Sequence, residues 1–220
     1  MKIILVSTDN YSVLKKTYNF IKNVNNNEWQ LHYVVKKNKT KQKILRNYLN
    51  ELRLILLKFY ILNKLNTKLQ SNFLITKTTR SNDYDLLLKK INPDITLYIL
   101  FDEIIKKQTL NLSKINLNVH NAHLPDFRGC RPIHHLTNQF FLDSLLTLHF
   151  MEEGIDTGNI VFEIPFRIKK NKKVGRNFIY SISNLDLLIK YGLRRLTKFE
   201  NFKGLNQSDF NGESNYYKRY

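Results

Sequence analysis

The sequence predicts an α/β fold in which an open, mostly parallel sheet carries helices on its faces. The first observation behind this prediction is that short apolar runs alternate with segments in which apolar residues recur every three or four positions. The second is that 220 residues with 42% hydrophobic and 12% aromatic content can bury a sizeable core. Together they favour one globular domain with a modest appendage, and they exclude intrinsic disorder.

The first part of the chain supplies three predicted strands and two predicted helices. Residues Lys2–Val6 form a continuous apolar run that ends at Ser-Thr-Asp-Asn, which is typical of a buried strand. Helical spacing over 13–24 and 40–65 predicts two helices, the second of them amphipathic. Residues 31–35 and 73–76 are predicted as the second and third strands.

The rest of the chain continues the alternation. A helix over 83–91 ends before Pro93, because the residue before a proline disfavours helical backbone. The strands predicted after it cover 95–100, 115–119, 145–151 and 159–162. A helical period then runs over 177–199. We expect a catalytic domain over 1–165, with 166–220 forming a C-terminal helix and tail packed on the same domain.

The charge balance is strongly basic. Lys and Arg number 36 against 18 Asp and Glu, which gives a net charge of +18. Such a surplus suggests nucleic acid, an anionic membrane or phosphate-bearing small molecules as partners. The lysines are spread along the chain, so we do not expect nucleic acid as the partner. We infer only that the charge favours solubility and attracts phosphate-bearing ligands.

Cysteine content and hydropathy indicate the compartment. Cys130 is the single cysteine, so no internal disulfide can form. No apolar run approaches the roughly 18 residues that a membrane helix needs. Met1–Ser7 is too short for the apolar core of a secretory signal. We therefore expect a cytoplasmic protein with no membrane partner.

Several common nucleotide and hydrolase motifs are missing. The predicted first strand leads into Ser7–Ser12, which contains no glycine, so neither a dinucleotide-binding GxGxxG nor a Walker A loop is present there. The sequence also has no GxSxG element. These absences disfavour nicotinamide dehydrogenases, P-loop enzymes and α/β-hydrolases.

The polar residues with the clearest chemical potential follow the strand predicted at 115–119. Asn118 and His120 are two apart on extended backbone, so their side chains leave the same face. An amide donor beside an imidazole can stabilise an oxyanion and move a proton. A carboxylate such as Asp156, brought close, would hold the imidazole tautomer and raise its pKa. A loop-capping pair without catalytic function is the competing interpretation.

Metal binding is a second interpretation of the region that follows residue 115, since five of the six histidines lie in it. They are His120, His123, His134, His135 and His149. Their spacing fits no zinc signature, and two neighbouring histidines on a predicted helix cannot both face one ion. We therefore expect no metal.

Three motifs resemble the folate-dependent formyltransferase family. They are Asn118-Val119-His120, the loop Leu124–Gly129 (Leu-Pro-Asp-Phe-Arg-Gly) and the segment His149–Gly158 (His-Phe-Met-Glu-Glu-Gly-Ile-Asp-Thr-Gly). The resemblance is good over 83–164 and implies a Rossmann-like formyltransferase fold. It implies that Asn118, His120 and Asp156 are catalytic. His123 departs from the family, which usually has an apolar residue there.

The resemblance also implies the donor and the chemistry. N10-formyltetrahydrofolate would supply the formyl group to a primary amine, and Asn118 would donate to the oxyanion. His120 would either take the amine proton or, in its protonated form, stabilise the oxyanion. Asp156 would orient His120 and help to route protons. The residues expected to contact the folate are Phe101, Asp102, Glu103, Ile104, Ile105, Glu152, Glu153 and Gly154. A plain strand-to-helix loop and a hairpin turn are the alternative interpretations of these two segments.

Among the family's acceptors, nucleotide-linked amino sugars match best. The Phe127-Arg128-Gly129 loop and the tail over 214–219 resemble the nucleotide-sugar N-formyltransferases, which implies a homodimer as a possible assembly. The candidate substrate contacts are Arg128, Arg131, Tyr216, Tyr217 and Lys218. Exposed polar groups on loops and a frayed tail are the competing interpretation of these five residues.

Other acceptors and a non-enzyme remain open. A phosphoribosylglycinamide formyltransferase has the right length. A methionyl-tRNA formyltransferase suits the positive charge, but that branch normally carries a further C-terminal domain of about a hundred residues. A basic nucleic-acid-binding module built on the same core is the alternative from a different functional class.

Overall fold

The computed structural model describes residues 1–24, 29–37, 48–69, 72–139, 142–199, 201–210 and 216–217. The chain divides into two compact units, Met1–Lys114 and Ile115–Tyr220. Within the described residues, no helix combines the length and the apolar character needed to cross a membrane.

The first unit is built on four parallel strands with helices between them. Its strands are β1 (Lys2–Thr8), β2 (Gln30–Lys36), β3 (Phe73–Thr76) and β4 (Ile95–Ile99), in the order β3-β2-β1-β4. Its helices are α1 (Tyr11–Asn23), α2 (Tyr48–Leu69), α3 (Asn82–Ile91) and the short α4 (Lys107–Leu110).

The local sequence explains these elements. Ile3–Val6 of β1 are fully buried, which accounts for the continuous apolar run, since a strand covered on both faces has no polar side. Asn10 caps α1, and its Oδ1 accepts hydrogen bonds from the backbone N–H groups of Ser12 and Val13. Helix α3 ends at Asn92, which takes left-handed backbone (φ 49°) immediately before Pro93.

The second unit is built on antiparallel strands. It contains β5 (Ile115–His120), β7 (Asp143–Phe150) and β8 (Ile160–Arg167), paired in that order. A separate pair joins β6 (Arg128–Gly129) to β9 (Tyr216–Tyr217) in parallel. The helices are α5 (Pro132–Asn138), α6 (Val174–Ser181) and α7 (Leu185–Lys198), followed by a 3-10 helix at Gln207–Asp209.

Helix α7 packs on β7 and β8. The contact is so close at Gly192 that a Cβ there would lie 2.2 Å from Cδ2 of Leu148. The helices after residue 165 therefore complete the core of the second unit. The expected division into 1–165 and 166–220 stays a prediction.

The predicted fold class is confirmed: the strands are mostly parallel, in an open sheet with flanking helices. The single helix predicted over 177–199 is wrong, because α6 ends at Ser181 and α7 begins at Leu185. The hydroxyl of Ser181 donates to the carbonyl of Phe178, and such local bonds compete with helix continuation. Of the helix predicted over 40–65, residues 40–47 lie outside the described residues.

Candidate active site

Four polar side chains of the second unit converge on one another. Asn118 and His120 come from β5, His149 comes from β7, and Asp156 lies in the turn between β7 and β8. The two-residue spacing on β5 sends both of its side chains to the same carboxylate, as the sequence predicts. The antiparallel register places His149 directly opposite Asn118. We call these four side chains the Asp156 cluster.

Asp156 is the centre of this cluster. Its Oδ2 accepts a hydrogen bond from the backbone N–H of Gly129 at 2.8 Å, and its Oδ1 accepts one from Nδ2 of Asn118 at 3.3 Å. Nδ1 of His120 and Nε2 of His149 each lie 3.5 Å from the carboxylate. Burial by itself raises the pKa of Asp156, but the two histidines and the Gly129 hydrogen bond outweigh it and hold that pKa well below its ordinary value. The group is therefore an anion throughout the working range of pH.

His120 is buried with one ring nitrogen fixed by the backbone. Its Nε2 donates to the carbonyl of Phe127 at 2.6 Å, so the neutral ring carries its proton there and presents the Nδ1 lone pair toward Asp156. Burial lowers the pKa of His120, the attraction of Asp156 opposes that shift, and the neighbouring His149 adds to it. Asp156 thus acts on this pKa in the expected direction and raises it, but desolvation is the larger effect, so the net shift is downward.

His149 is a member of the cluster that we did not predict as a catalytic residue. Its Nδ1 donates to the carbonyl of Phe150 at 2.7 Å, which leaves Nε2 as an acceptor 3.2 Å from Nδ2 of Asn118. The two hydrogens of the Asn118 amide are thus directed at His149 and Asp156. Within the described part of the chain, Oδ1 of Asn118 is buried without a hydrogen-bond partner. In the sequence His149 is only the first residue of the segment His149–Gly158, and its place opposite Asn118 follows from the strand register.

The two arginines expected to bind substrate differ in their surroundings. Arg128 donates from Nε and Nη2 to Oε1 of Gln207, at 3.0 and 2.7 Å. Arg131 is exposed and takes left-handed backbone (φ 55°) just before α5. The guanidinium of Arg128 is therefore used in a contact within the protein, and a role of either residue in substrate binding stays a prediction.

The tail residues also separate into two kinds. The ring of Tyr217 packs between Phe127 and His135, with ring centroids 5.9 and 3.8 Å away. Tyr216 is 47% exposed, and its ring lies 3.0 Å from the position a Cβ at Gly129 would take. Tyr216 is thus open to a ligand, whereas the ring of Tyr217 is packed against other side chains of the protein. Lys218 lies outside the described residues.

The predicted folate loop Phe101–Ile105 belongs to the first unit, where it follows β4. Nζ of Lys36 lies 2.5 Å from the Asp102 carboxylate, and the Phe101 ring packs against the same ammonium group. The Glu103 carboxylate accepts hydrogen bonds from the side chains of Thr78 and Thr79 and from the Thr79 N–H. Both acids therefore hold the loop in place. Ile105 is buried and Ile104 is 64% exposed.

The other predicted folate segment, Glu152–Gly154, is exposed and forms the turn that leads to Asp156. A Cβ at Gly154 would lie 2.4 Å from Oγ1 of Thr157, so the turn closes tightly on itself at this glycine. The interpretation of Glu152–Gly154 as a hairpin turn is therefore confirmed. Contact of this turn with folate stays a prediction.

No group of His, Cys, Asp and Glu side chains within the described ranges has an arrangement that could hold a metal ion. His134 is exposed on α5, and the ring of His135 beside it is stacked on Tyr217. These two histidines therefore contribute to the surface and to packing.

The chain is similar to proteins of one known family. The formyl transferase family model matches residues 1–177. A methionyl-tRNA formyltransferase of Clostridioides difficile is 26% identical over 110 residues, which make up 49% of this chain and 36% of that protein. The chain thus spans about a third of the length of that curated relative.

Two solved structures align with the whole chain. A sugar 3N-formyl transferase, determined with dTDP and 5-N-formyl-THF, is 23% identical with a TM-score of 0.65 over 100% of this chain and 70% of its own. An N-formyltransferase of Helicobacter canadensis, determined with folinic acid and dTDP-3-aminofucose, is 21% identical with a TM-score of 0.66 over 100% and 71%. These likenesses show the fold. The family match, which covers most of the chain and includes every member of the Asp156 cluster, shows that the chain belongs to the formyl transferase family.

Proposed function

We propose that the chain transfers the formyl group of N10-formyltetrahydrofolate to the amino group of a nucleoside-diphosphate-linked amino deoxysugar, such as dTDP-4-amino-4,6-dideoxyglucose. The observation that carries this proposal is the convergence of Asn118, His120 and Asp156 within a chain of the formyl transferase family. In the reaction the amine nitrogen bonds to the formyl carbon, the bond from that carbon to N10 breaks, and the amine proton ends on N10.

His120 is suited to carry the amine proton. Its lowered pKa keeps the imidazole neutral at neutral pH, and the Phe127 carbonyl fixes the ring proton on Nε2. The Nδ1 lone pair is then the base. Once protonated, the ring lies between the Phe127 carbonyl and the Asp156 carboxylate, two acceptors that stabilise the cation.

Asn118 is suited to stabilise the negative charge that develops on the formyl oxygen. A positioned amide donor of this kind contributes about 3–4 kcal/mol to the transition state. In the free protein its Nδ2 hydrogens are directed at His149 and Asp156, so one of these contacts is exchanged when the oxyanion forms. The buried Oδ1 of Asn118, which has no partner in the described part, fits a polar ligand at this position.

The sugar acceptor is supported by the exposed aromatic ring beside the cluster. Tyr216 lies against Gly129, whose N–H donates to Asp156, so a sugar or base stacked on this ring would lie near the reacting groups. The exposed guanidinium of Arg131 can meet a diphosphate. We propose that the folate contacts the predicted segments Phe101–Ile105 and Glu152–Gly154.

Transfer to charged initiator tRNA is the second candidate. The curated relative from Clostridioides difficile is a methionyl-tRNA formyltransferase, and the net charge of +18 suits a polyanion. The test therefore offers both acceptors, with glycinamide ribonucleotide as a third.

The experiment is a mass-spectrometric formyl-transfer assay in which the purified protein, N10-formyltetrahydrofolate and each acceptor are combined separately. His120→Ala is the test variant, and His134→Ala, which removes an exposed histidine, is the matched control. We expect one formyl mass on an amino sugar, abolished by His120→Ala and retained by His134→Ala. If tRNA or glycinamide ribonucleotide were formylated instead, the amino sugar would be the wrong acceptor and the reaction type would stand. If no acceptor were formylated, the whole proposal would be overturned.

A further inference from the structure

A glutamine from the C-terminal part of the chain is bonded to the segments that carry the catalytic groups. Gln207 is 1% exposed, at the start of the 3-10 helix. Its Nε2 donates to the carbonyls of Asp156 and Gly158, at 2.9 and 2.8 Å. Its Oε1 accepts two hydrogen bonds from Arg128. Both hydrogens and both lone pairs of one amide are therefore used.

The first segment held by Gln207 is the turn that contains Asp156. Asp156 has left-handed backbone (φ 54°), a conformation that non-glycine residues adopt uncommonly and keep only where the surroundings hold it. The two hydrogen bonds from Gln207 go to carbonyls on either side of Thr157. They fix the turn from within the protein and leave the Asp156 carboxylate directed at the two histidines.

The second segment is the loop Phe127–Cys130. The carbonyl of Phe127 accepts from His120, the N–H of Gly129 donates to Asp156, and the N–H of Cys130 donates to the carbonyl of Tyr217. The loop therefore contacts both the base and the carboxylate that faces it. Arg128, in the middle of this loop, is the residue through which Gln207 holds it.

We propose that Gln207 is a positioning residue for formyl transfer, which bonds the 156–158 turn to the 127–130 loop and thereby keeps the Asp156 carboxylate at its distance from His120. The inference rests on the proposed function. Gln207 acts through these two segments, and its side chain touches neither the base nor the carboxylate in the contacts described above.

This role requires both the donor and the acceptor of the Gln207 amide. Two substitutions separate them, because one removes both and the other removes only the donor. Gln207→Met fills nearly the same volume and makes none of the hydrogen bonds. Gln207→Glu keeps Arg128 as a partner, now as an ion pair, but its carboxylate cannot donate to the carbonyls of Asp156 and Gly158. Gln30→Met is the matched control, because Gln30 is exposed at the start of β2 in the first unit.

The experiment measures kcat, KM and the pH profile of formyl transfer, together with the titration of the His120 ring by NMR in the free protein. We expect both Gln207 variants to lose kcat by up to about 100-fold with KM unchanged, because a small misplacement of reacting groups costs that much. The charged or titratable groups facing His120 are Asp156 and His149. With Asp156 held less closely, its attraction weakens, so the imidazole titration and the acid limb of the profile move to lower pH.

Wild-type kcat in both Gln207 variants would overturn the inference. A lowered kcat would also overturn it if the acid limb of the pH profile and the His120 titration were the same as in Gln30→Met, since that result indicates a structural role alone. If Gln207→Met does not fold, the same measurements are made on Gln207→Glu, because its ion pair retains the contact between residue 207 and Arg128. If the wild type transfers formyl to no acceptor, the proposed function fails, and the NMR titration still decides whether Gln207 sets the surroundings of His120.

Discussion

The two units use buried polar groups in different ways. In the first unit two such pairs are short: the hydroxyls of Ser7 and Tyr33 lie 2.5 Å apart, and Thr79 Oγ1 donates to Glu103 at 2.8 Å. In the second unit the imidazoles of His120 and His149 stand 3.5 Å from Asp156. Each of these rings is held at its other nitrogen by a short hydrogen bond to a backbone carbonyl, so the nitrogen that faces Asp156 keeps a lone pair that can accept a proton.

The largest expected effect of a single substitution is on catalysis in the second unit. Asp156→Asn keeps the size of the side chain but removes the charge that faces His120 and His149. Because the protonated base then lacks its counter-charge, we expect kcat to fall by roughly 10³-fold. The measurement is the formyl-transfer assay with the best acceptor, with Asp143→Asn, an exposed acid of the same unit, as the control. Activity within tenfold of the wild type would contradict a catalytic role for Asp156.

The pH dependence of the rate tests whether His120 is the base of the Asp156 cluster. Burial lowers the pKa of His120 below its ordinary 6.5, while Asp156 opposes the shift and His149 adds to it. Since the neutral ring is the base, kcat/KM should be flat near neutral pH and should fall as the pH drops through the lowered pKa. Asp156→Asn should move this limb to still lower pH. A limb above pH 6.5 would show that another group is the base.

Much of the fold and part of the candidate site could be predicted from the sequence. The continuous apolar run of β1 and the spacing of Asn118 and His120 are local signals, and both lead to the observed structure. His149 depends on strand register, and Gln207 meets Asp156 across 51 residues of chain. Composition and periodicity contain neither piece of information, since both contacts arise only when distant segments pack.

A substitution in the first unit should change stability and leave catalysis alone. Burial raises the pKa of Tyr33 to about 12, and its hydroxyl is paired with Ser7. Tyr33→Phe removes that hydrogen bond, so we expect a loss of about 1 kcal/mol in the free energy of unfolding. Urea unfolding measures it, with Tyr60→Phe, 58% exposed in α2 of the same unit, as the control. An equal change in both variants would show that the buried pair contributes nothing.

The smallest expected effect comes from a second histidine–carboxylate pair, whose pKa shift is opposite to that of His120. Nδ1 of His123 donates to Glu163 at 3.3 Å, and this hydrogen bond raises the pKa of His123 against a smaller opposing effect of burial. A raised folded-state pKa adds stability that is complete below the unfolded value of 6.5 and is lost as the pH rises through the folded value.

Because the His123 side chain is 26% exposed, we expect this contribution to stay below about 1 kcal/mol. The measurement compares the free energy of unfolding of the wild type and of His123→Gln from pH 5 to 8, with His134→Ala as the control. The difference between wild type and His123→Gln should shrink as the pH rises, whereas His134→Ala should follow the wild type. A difference that grows with pH would mean that His123 is buried as a neutral ring, like His120, and the contrast between the two pairs would be lost.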